Sequence, residues 1–222
     1  MASLPGFVEM LERTADLHER RPGATPDEIA AAEARLGRPL PESMRSLYAA
    51  MNGGDLFQGD ARLLELLPGE GDEAFSLVTY SDFLRGAQFP LPPELVAFGS
   101  DGTGENFAAW MPSDGAGAPI VVHMGELFEE ASFAVVGSDV VSFLTGWCAY
   151  YVMSYVEEDA DAVLDGLGVP ESLRIDPDDI DDERSLDLLR WASPAVAKWV
   201  ADPYDEPLTP DQVREVAMEV AA

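Results

Sequence analysis

The chain has 222 residues, enough for one substantial domain with an extension, and sets 42 Asp and Glu against 13 Lys and Arg, a net charge of −29. So acidic a surface argues against direct binding of DNA, RNA or anionic membrane and favours a basic partner. The single cysteine, Cys148, excludes an intramolecular disulfide, and nothing points to an oxidising compartment.

The opening MASLPGFVEM lacks a basic segment followed by a long apolar run, so no signal peptide is expected and the cytoplasm is the expected location. Leu4 to Leu17 reads as an amphipathic helix, with Phe7, Leu11 and Ala15 near one face. His18 follows in LHERR, near the end of that helix, where an exposed position is expected. Thr25 caps the next helix, with Pro26 at its first position and Glu28 as the reciprocal half of a capping box. Ile29, Ala32 and Leu36 recur at helical spacing until Gly37 and Pro39 close the element. From Leu40-Pro41 a second helix places Met44, Leu47, Tyr48 and Met51 on one stripe, and Asn52-Gly53-Gly54 is expected to end it in the left-handed conformation.

Beyond Gly54, short apolar runs between Gly, Pro and Asp predict strands at Ala61–Leu67, Phe75–Tyr80, Leu95–Gly99, Asn106–Met111, Ile120–Met124 and Ser132–Val136. Their brief connections leave little room for crossover helices, so the sheet should be largely antiparallel. A helix capped by Ser138 or Asp139 carries Val140, Leu144, Trp147, Cys148, Tyr151, Val152 and Tyr155 on one stripe and has no charged face. Such a helix is normally covered on more than one side. Its uncharged run, Val140 to Val156, is too short and too polar for a membrane span and has no basic anchor.

The last 66 residues form an acidic, mainly helical extension, 157–222, which holds 19 acids against 5 bases and is expected to pack over that helix. Ser185–Ala192 and Pro194–Val200 look helical, and Thr209-Pro210-Asp211-Gln212 repeats the capping logic of Thr25 to Glu28. The first 156 residues are expected to form the other unit, a largely antiparallel sheet with helices.

Phe98-Gly99-Ser100-Asp101-Gly102-Thr103-Gly104-Glu105-Asn106 reads as a tight connection between two strands. A helix ending in Leu36-Gly37, then Leu40-Pro41 opening a helix that ends in Asn52-Gly53-Gly54, then this turn with Gly99, Gly102 and Gly104, resembles the SUKH superfamily over roughly residues 20 to 156. That fold is shared by fungal cell-wall-synthesis regulators and many bacterial toxin-immunity proteins. The resemblance implies an α+β domain with a twisted sheet flanked by helices, and in function a non-enzymatic binding protein, most often one that neutralises a cognate toxin, frequently a nuclease. The alternative it offers is a regulatory or scaffold module that binds host proteins.

Chemistry-bearing residues give little support to an enzyme. His18 and His123 are the only histidines, no G-x-S-x-G nucleophile motif occurs, and no Cys or His pair has the spacing of zinc ligands. Asp101 and Glu105 are more readily turn residues than an acid–base pair. The run Asp176-Pro177-Asp178-Asp179-Ile180-Asp181-Asp182-Glu183 lacks the glycine and distal glutamate of an EF-hand loop, so no metal and no cofactor are expected. Partner contact is expected instead at Glu70, Asp72, Glu73, Asp101, Glu105, Asp176, Asp178, Asp179, Asp181, Asp182 and Glu183, because a carboxylate-rich surface can fill the basic cleft of a nuclease and speed the encounter. Leu40, Pro41, Asn52 and the motif glycines are expected to serve the scaffold.

Overall fold

The computed structural model describes residues 3–69, 76–86, 91–103, 105–112, 118–124, 132–175, 182–202 and 207–222. Its elements in chain order are α1 (Leu4–Arg13), β1 (Glu19–Pro22), α2 (Pro26–Leu36), α3 (Glu42–Ala50), β2 (Met51–Leu56), β3 (Ala61–Leu63), α4 (Leu77–Gly86), β4 (Leu95–Asp101), β5 (Asn106–Trp110), β6 (Ile120–Met124), β7 (Phe133–Gly137), α5 (Val140–Tyr155), α6 (Ala160–Leu167), α7 (Asp182–Ala192) and α8 (Pro210–Ala221). The described strands form one sheet in the order β1 to β7, each antiparallel to the next. This is the antiparallel sheet that the short connections predicted, within the α+β architecture that the SUKH resemblance implied.

Helix starts follow the capping chemistry. Thr25 and Glu28 form a complete capping box at α2, Thr209 and Gln212 form another at α8, and Asp139 accepts the N–H groups of Val141 and Ser142 at the start of α5. Each removes orphan donors that a buried helix end could not leave unpaired.

Several expectations need correction. Asn52-Gly53-Gly54 does not end a helix: α3 stops at Ala50, Met51 is already extended, and the three residues lie within β2. The positive φ angles of Gly53 (85°) and Gly54 (148°) serve close approach instead. A Cβ on Gly54 would lie 2.4 Å from the carbonyl oxygen of Glu19 in β1, and one on Gly53 2.8 Å from the backbone nitrogen of Glu65. Of the strand expected at Phe75–Tyr80, Phe75 lies outside the described residues and Leu77 to Tyr80 open α4, where Ser76 and Thr79 exchange side-chain and backbone hydrogen bonds across the first turn. Pro194–Val200 is irregular apart from a short 3-10 turn at Ala197–Trp199. The amphipathic N-terminal helix stops at Arg13, and a 3-10 turn at Ala15–Leu17 carries the chain to β1.

Side chains of β5 alternate between the two faces of the sheet. Phe107 points to the α5 side, with its ring 4.7 Å from those of Phe143 and Trp147. Asn106 and Trp110 point the other way, where Tyr80 of α4 donates to Asn106 and the Arg214 guanidinium of α8 lies 5.5 Å from the Trp110 ring.

The C-terminal helices wrap the β7 end of this sandwich. α7 packs on α5 so closely that a Cβ on Gly146 would lie 2.9 Å from the Leu188 carbonyl oxygen. The chain then runs along β7: Val200 bridges to Val135, and Leu208 exchanges both backbone hydrogen bonds with Phe133, at 3.1 and 2.7 Å. α8 reaches the opposite face, where Ala217 accepts from Ala118 and Arg214 pairs with Glu94 at 3.1 Å. At the other edge, β1 is exposed along its whole length and reads Glu19-Arg20-Arg21-Pro22. Charge and proline are common protections for an unpaired edge.

Candidate partner-binding surface

An antiparallel meander returns to the same end after every second strand. The β2–β3 and β4–β5 connections therefore lie together, as the pairing of Ala61 with both Leu56 and Asp101 shows. The start of β1, paired through Glu19 to Asp55, reaches that end as well. The last turns of α5 join them, because Tyr151 donates to the backbone oxygen of Asp60 at 3.1 Å and Tyr155 donates to its carboxylate.

The β2–β3 connection is strained. Phe57 and Gln58 are both non-glycine residues with positive φ, 49° and 58°, followed by Gly59 at 100°. Surrounding contacts hold it: Phe57 is fully buried, stacks on Tyr151 at 5.3 Å, and donates its N–H to Nδ1 of His18 at 3.1 Å. His18 is thus not an exposed helix-end residue. Burial, together with nearby Arg20, pushes its pKa down to about 4, so the ring is neutral at pH 7. Its sequence signal was weak, since β1 contains no apolar residue to mark a strand beside it.

Asp101 and Glu105 come together across the β4–β5 turn. One Asp101 oxygen accepts the N–H groups of Thr103 and Glu105 at 2.9 and 2.8 Å, the turn role its residue type suggested. Glu105 reaches back to His123 Nε2 at 2.7 Å, and that imidazole is 3% exposed. Gly102 donates to the Asp60 carbonyl at 3.1 Å, which brings a third carboxylate to the corner. Beside it, a cleft of about 320 Å3 is lined by Asp16, Leu17, His18, Glu19, Asp55, Gln58 and Gly59. Asp16, Glu19, Asp55 and Asp60 were not singled out from sequence; acids flanking short strands give no pattern of their own.

The remaining predicted acids are placed unevenly. Glu70, Asp72, Glu73, Asp176, Asp178, Asp179 and Asp181 lie outside the described residues, as does Gly104. Asp182 opens α7, and Glu183 is exposed there. Among the scaffold positions, Leu40 is buried, Pro41 caps α3, and a Cβ on Gly99 would lie 2.6 Å from the Arg62 carbonyl oxygen.

One face of α5 completes the surface. Trp147, Tyr150, Tyr151 and Tyr155 follow one another at i, i+3, i+4 and i+8, and all remain partly exposed although α7 covers the Gly146 side. Their rings continue a chain of contacts from His18 through Phe57, Tyr151, Trp147 and Phe107 to His123. Burial first, then Asp60 and Asp101 among the neighbouring groups, pushes the Tyr151 phenol up.

Groups that could do covalent chemistry are tied down here. His18 uses both nitrogens on Phe57 and Thr14, and Cys148 is fully buried with its thiol pushed up by desolvation. Among the described residues, no group of three or more His, Cys, Asp or Glu side chains could hold a metal ion. Nor is any described helix long and apolar enough to cross a membrane.

The model of the SMI1 / KNR4 family (SUKH-1) matches residues 23–146, more than half of the chain. The chain belongs to that family. The SUKH-1 match begins just before α2 and ends within α5, so it holds β2 to β7 and the carboxylate corner but not α6, α7 or α8. Membership supports a non-enzymatic binding role. A search of curated proteins returned no match.

Proposed function

We propose that this SUKH-1 protein is a cytoplasmic bacterial immunity protein that neutralises a cognate toxin domain carrying a basic cleft, a nuclease in the simplest case. One observation carries the reading. Asp101 and Glu105, singled out from sequence as partner contacts, meet Asp60 and the cleft carboxylates Asp16 and Glu19 at one end of the sheet, where the neighbouring Asp55 is already paired with Arg62. A nuclease must offer cations to its substrate, and this end can occupy the same cations and exclude nucleic acid.

The test is co-expression with the toxin domains encoded beside the gene. Rescue of growth and a stable complex are expected with one of them; no rescue by any of them overturns the reading. Steering by charge adds a kinetic signature. The association rate should fall steeply as ionic strength rises past physiological, where screening acts over about 8 Å.

A further inference from the structure

Charge alone attracts every basic surface equally, whereas an inhibitor must hold one of them. Aromatic side chains, Trp and Tyr above all, supply the anchors of protein interfaces because they bury much area at little entropic cost, within a rim that excludes water. α5 presents such a set on one partly exposed face, with Ser154 exposed in its middle and Glu157 and Glu158 exposed just beyond its end. The face has no charged residue of its own, yet carboxylates stand beside it: Asp60 accepts the Tyr155 hydroxyl on its carboxylate and the Tyr151 hydroxyl on its backbone oxygen, and Asp101 lies next to Asp60, paired to Ala61 across β3 and β4.

We infer that the α5 face of Trp147, Tyr150, Tyr151 and Tyr155, flanked by Asp60 and Asp101, is the docking site for a basic partner and receives an arginine of that partner. The inference rests on the proposed immunity function for the identity of the partner, but its chemistry stands by itself. A planar guanidinium stacks on an indole or phenol ring and forks onto a carboxylate at the same time, whereas an ammonium does the first poorly and the second as a point charge. The site therefore discriminates arginine from lysine, which a diffuse acidic surface does not.

The test uses the full chain and two probes of equal charge, fluorescently labelled hexa-arginine and hexa-lysine, titrated at physiological ionic strength. Wild type should bind hexa-arginine several-fold more tightly than hexa-lysine, and Trp147→Ala should weaken hexa-arginine binding about tenfold while barely changing hexa-lysine. Trp147 also packs on Phe107 and Phe143, so Tyr150→Ala, whose ring meets only Tyr151 among the described ring contacts, serves as a second variant with the same expected direction. Phe83→Ala, an exposed ring on α4, should change neither. Equal binding of the two peptides, no binding of hexa-arginine, or variants indistinguishable from wild type would overturn the inference. Toxin rescue separates the two readings: rescue that survives both α5 variants removes the docking face and leaves the immunity role, while ring-dependent arginine binding without any rescue does the reverse.

Discussion

Nδ1 of His18 accepts the backbone N–H of Phe57, and Nε2 of the same ring lies 2.7 Å from the Thr14 hydroxyl, which itself donates to the Met10 carbonyl. Only one tautomer satisfies this chain: Nε2 carries the proton and Nδ1 is bare. Protonation would set a second N–H against that of Phe57 and release the strained connection at Phe57–Gly59.

Stability should therefore depend on pH through His18, with a definite sign. Its folded pKa, about 4, lies below the ordinary 6.5, so the unfolded chain binds a proton more readily. The stabilisation is fully present above pH 6.5 and is lost as pH falls from there toward 4. Urea unfolding of wild type and His18→Asn, which keeps an acceptor without titrating, should diverge across that window. Parallel curves would refute the assignment.

Gly53→Ala and Gly54→Ala should each destabilise by about 1–3 kcal/mol, since both sites hold positive φ and would drive a Cβ into backbone. Equilibrium denaturation measures the loss. Gly37→Ala provides the comparison: its φ of 71° carries the conformational strain, but no atom lies within 4 Å of the added carbon, so the cost should be smaller.

Gly146→Ala decides between two opposing effects in α5. Helix propensity alone favours alanine by about 1 kcal/mol. Here the methyl would meet the Leu188 carbonyl oxygen at 2.9 Å and the Ala192 Cβ at 3.1 Å, and overpacking of that kind costs about 1–3 kcal/mol. A net loss in melting temperature is expected; a gain would show that α7 is looser on α5 than its geometry implies.

Leu208→Pro removes the N–H that Phe133 accepts at 2.7 Å and leaves a buried carbonyl unpaired. The expected cost is about 1–3 kcal/mol, with concentration-dependent self-association visible by light scattering, because the β7 edge is then open.

Much of this fold was legible because its signals are local. Two capping boxes, the Asp139 cap, and β4 to β7 as apolar runs buried along nearly their whole length announce themselves in neighbouring residues. What misled was context. Val78, Thr79 and Tyr80 favour strands, but the Ser76–Thr79 exchange starts a helix there. Gly53 and Gly54 favour a helix end, yet they are needed where β1 and the Glu65 segment press against β2. At the candidate site, Asp101 and Glu105 stood out through composition. Asp60 gained its place through Gly102, some forty residues away, and through Tyr151 and Tyr155, some ninety residues away, and no local pattern encodes such a meeting. The α5 aromatics were read as covered core, because sequence shows that a helix lacks charge but not which of its sides a neighbour leaves bare.

The two ends of the sheet differ in one further respect. β7 is occupied by the chain's own Val200 and Leu208, while among the described residues no second strand pairs with β1, which carries Arg20 and Arg21 and closes with a proline that cannot donate. Among the described residues, a strand arriving from another copy meets the Phe133 and Val135 rungs already taken at one edge and a cationic edge closed by proline at the other, which disfavours end-to-end addition of copies into a fibre.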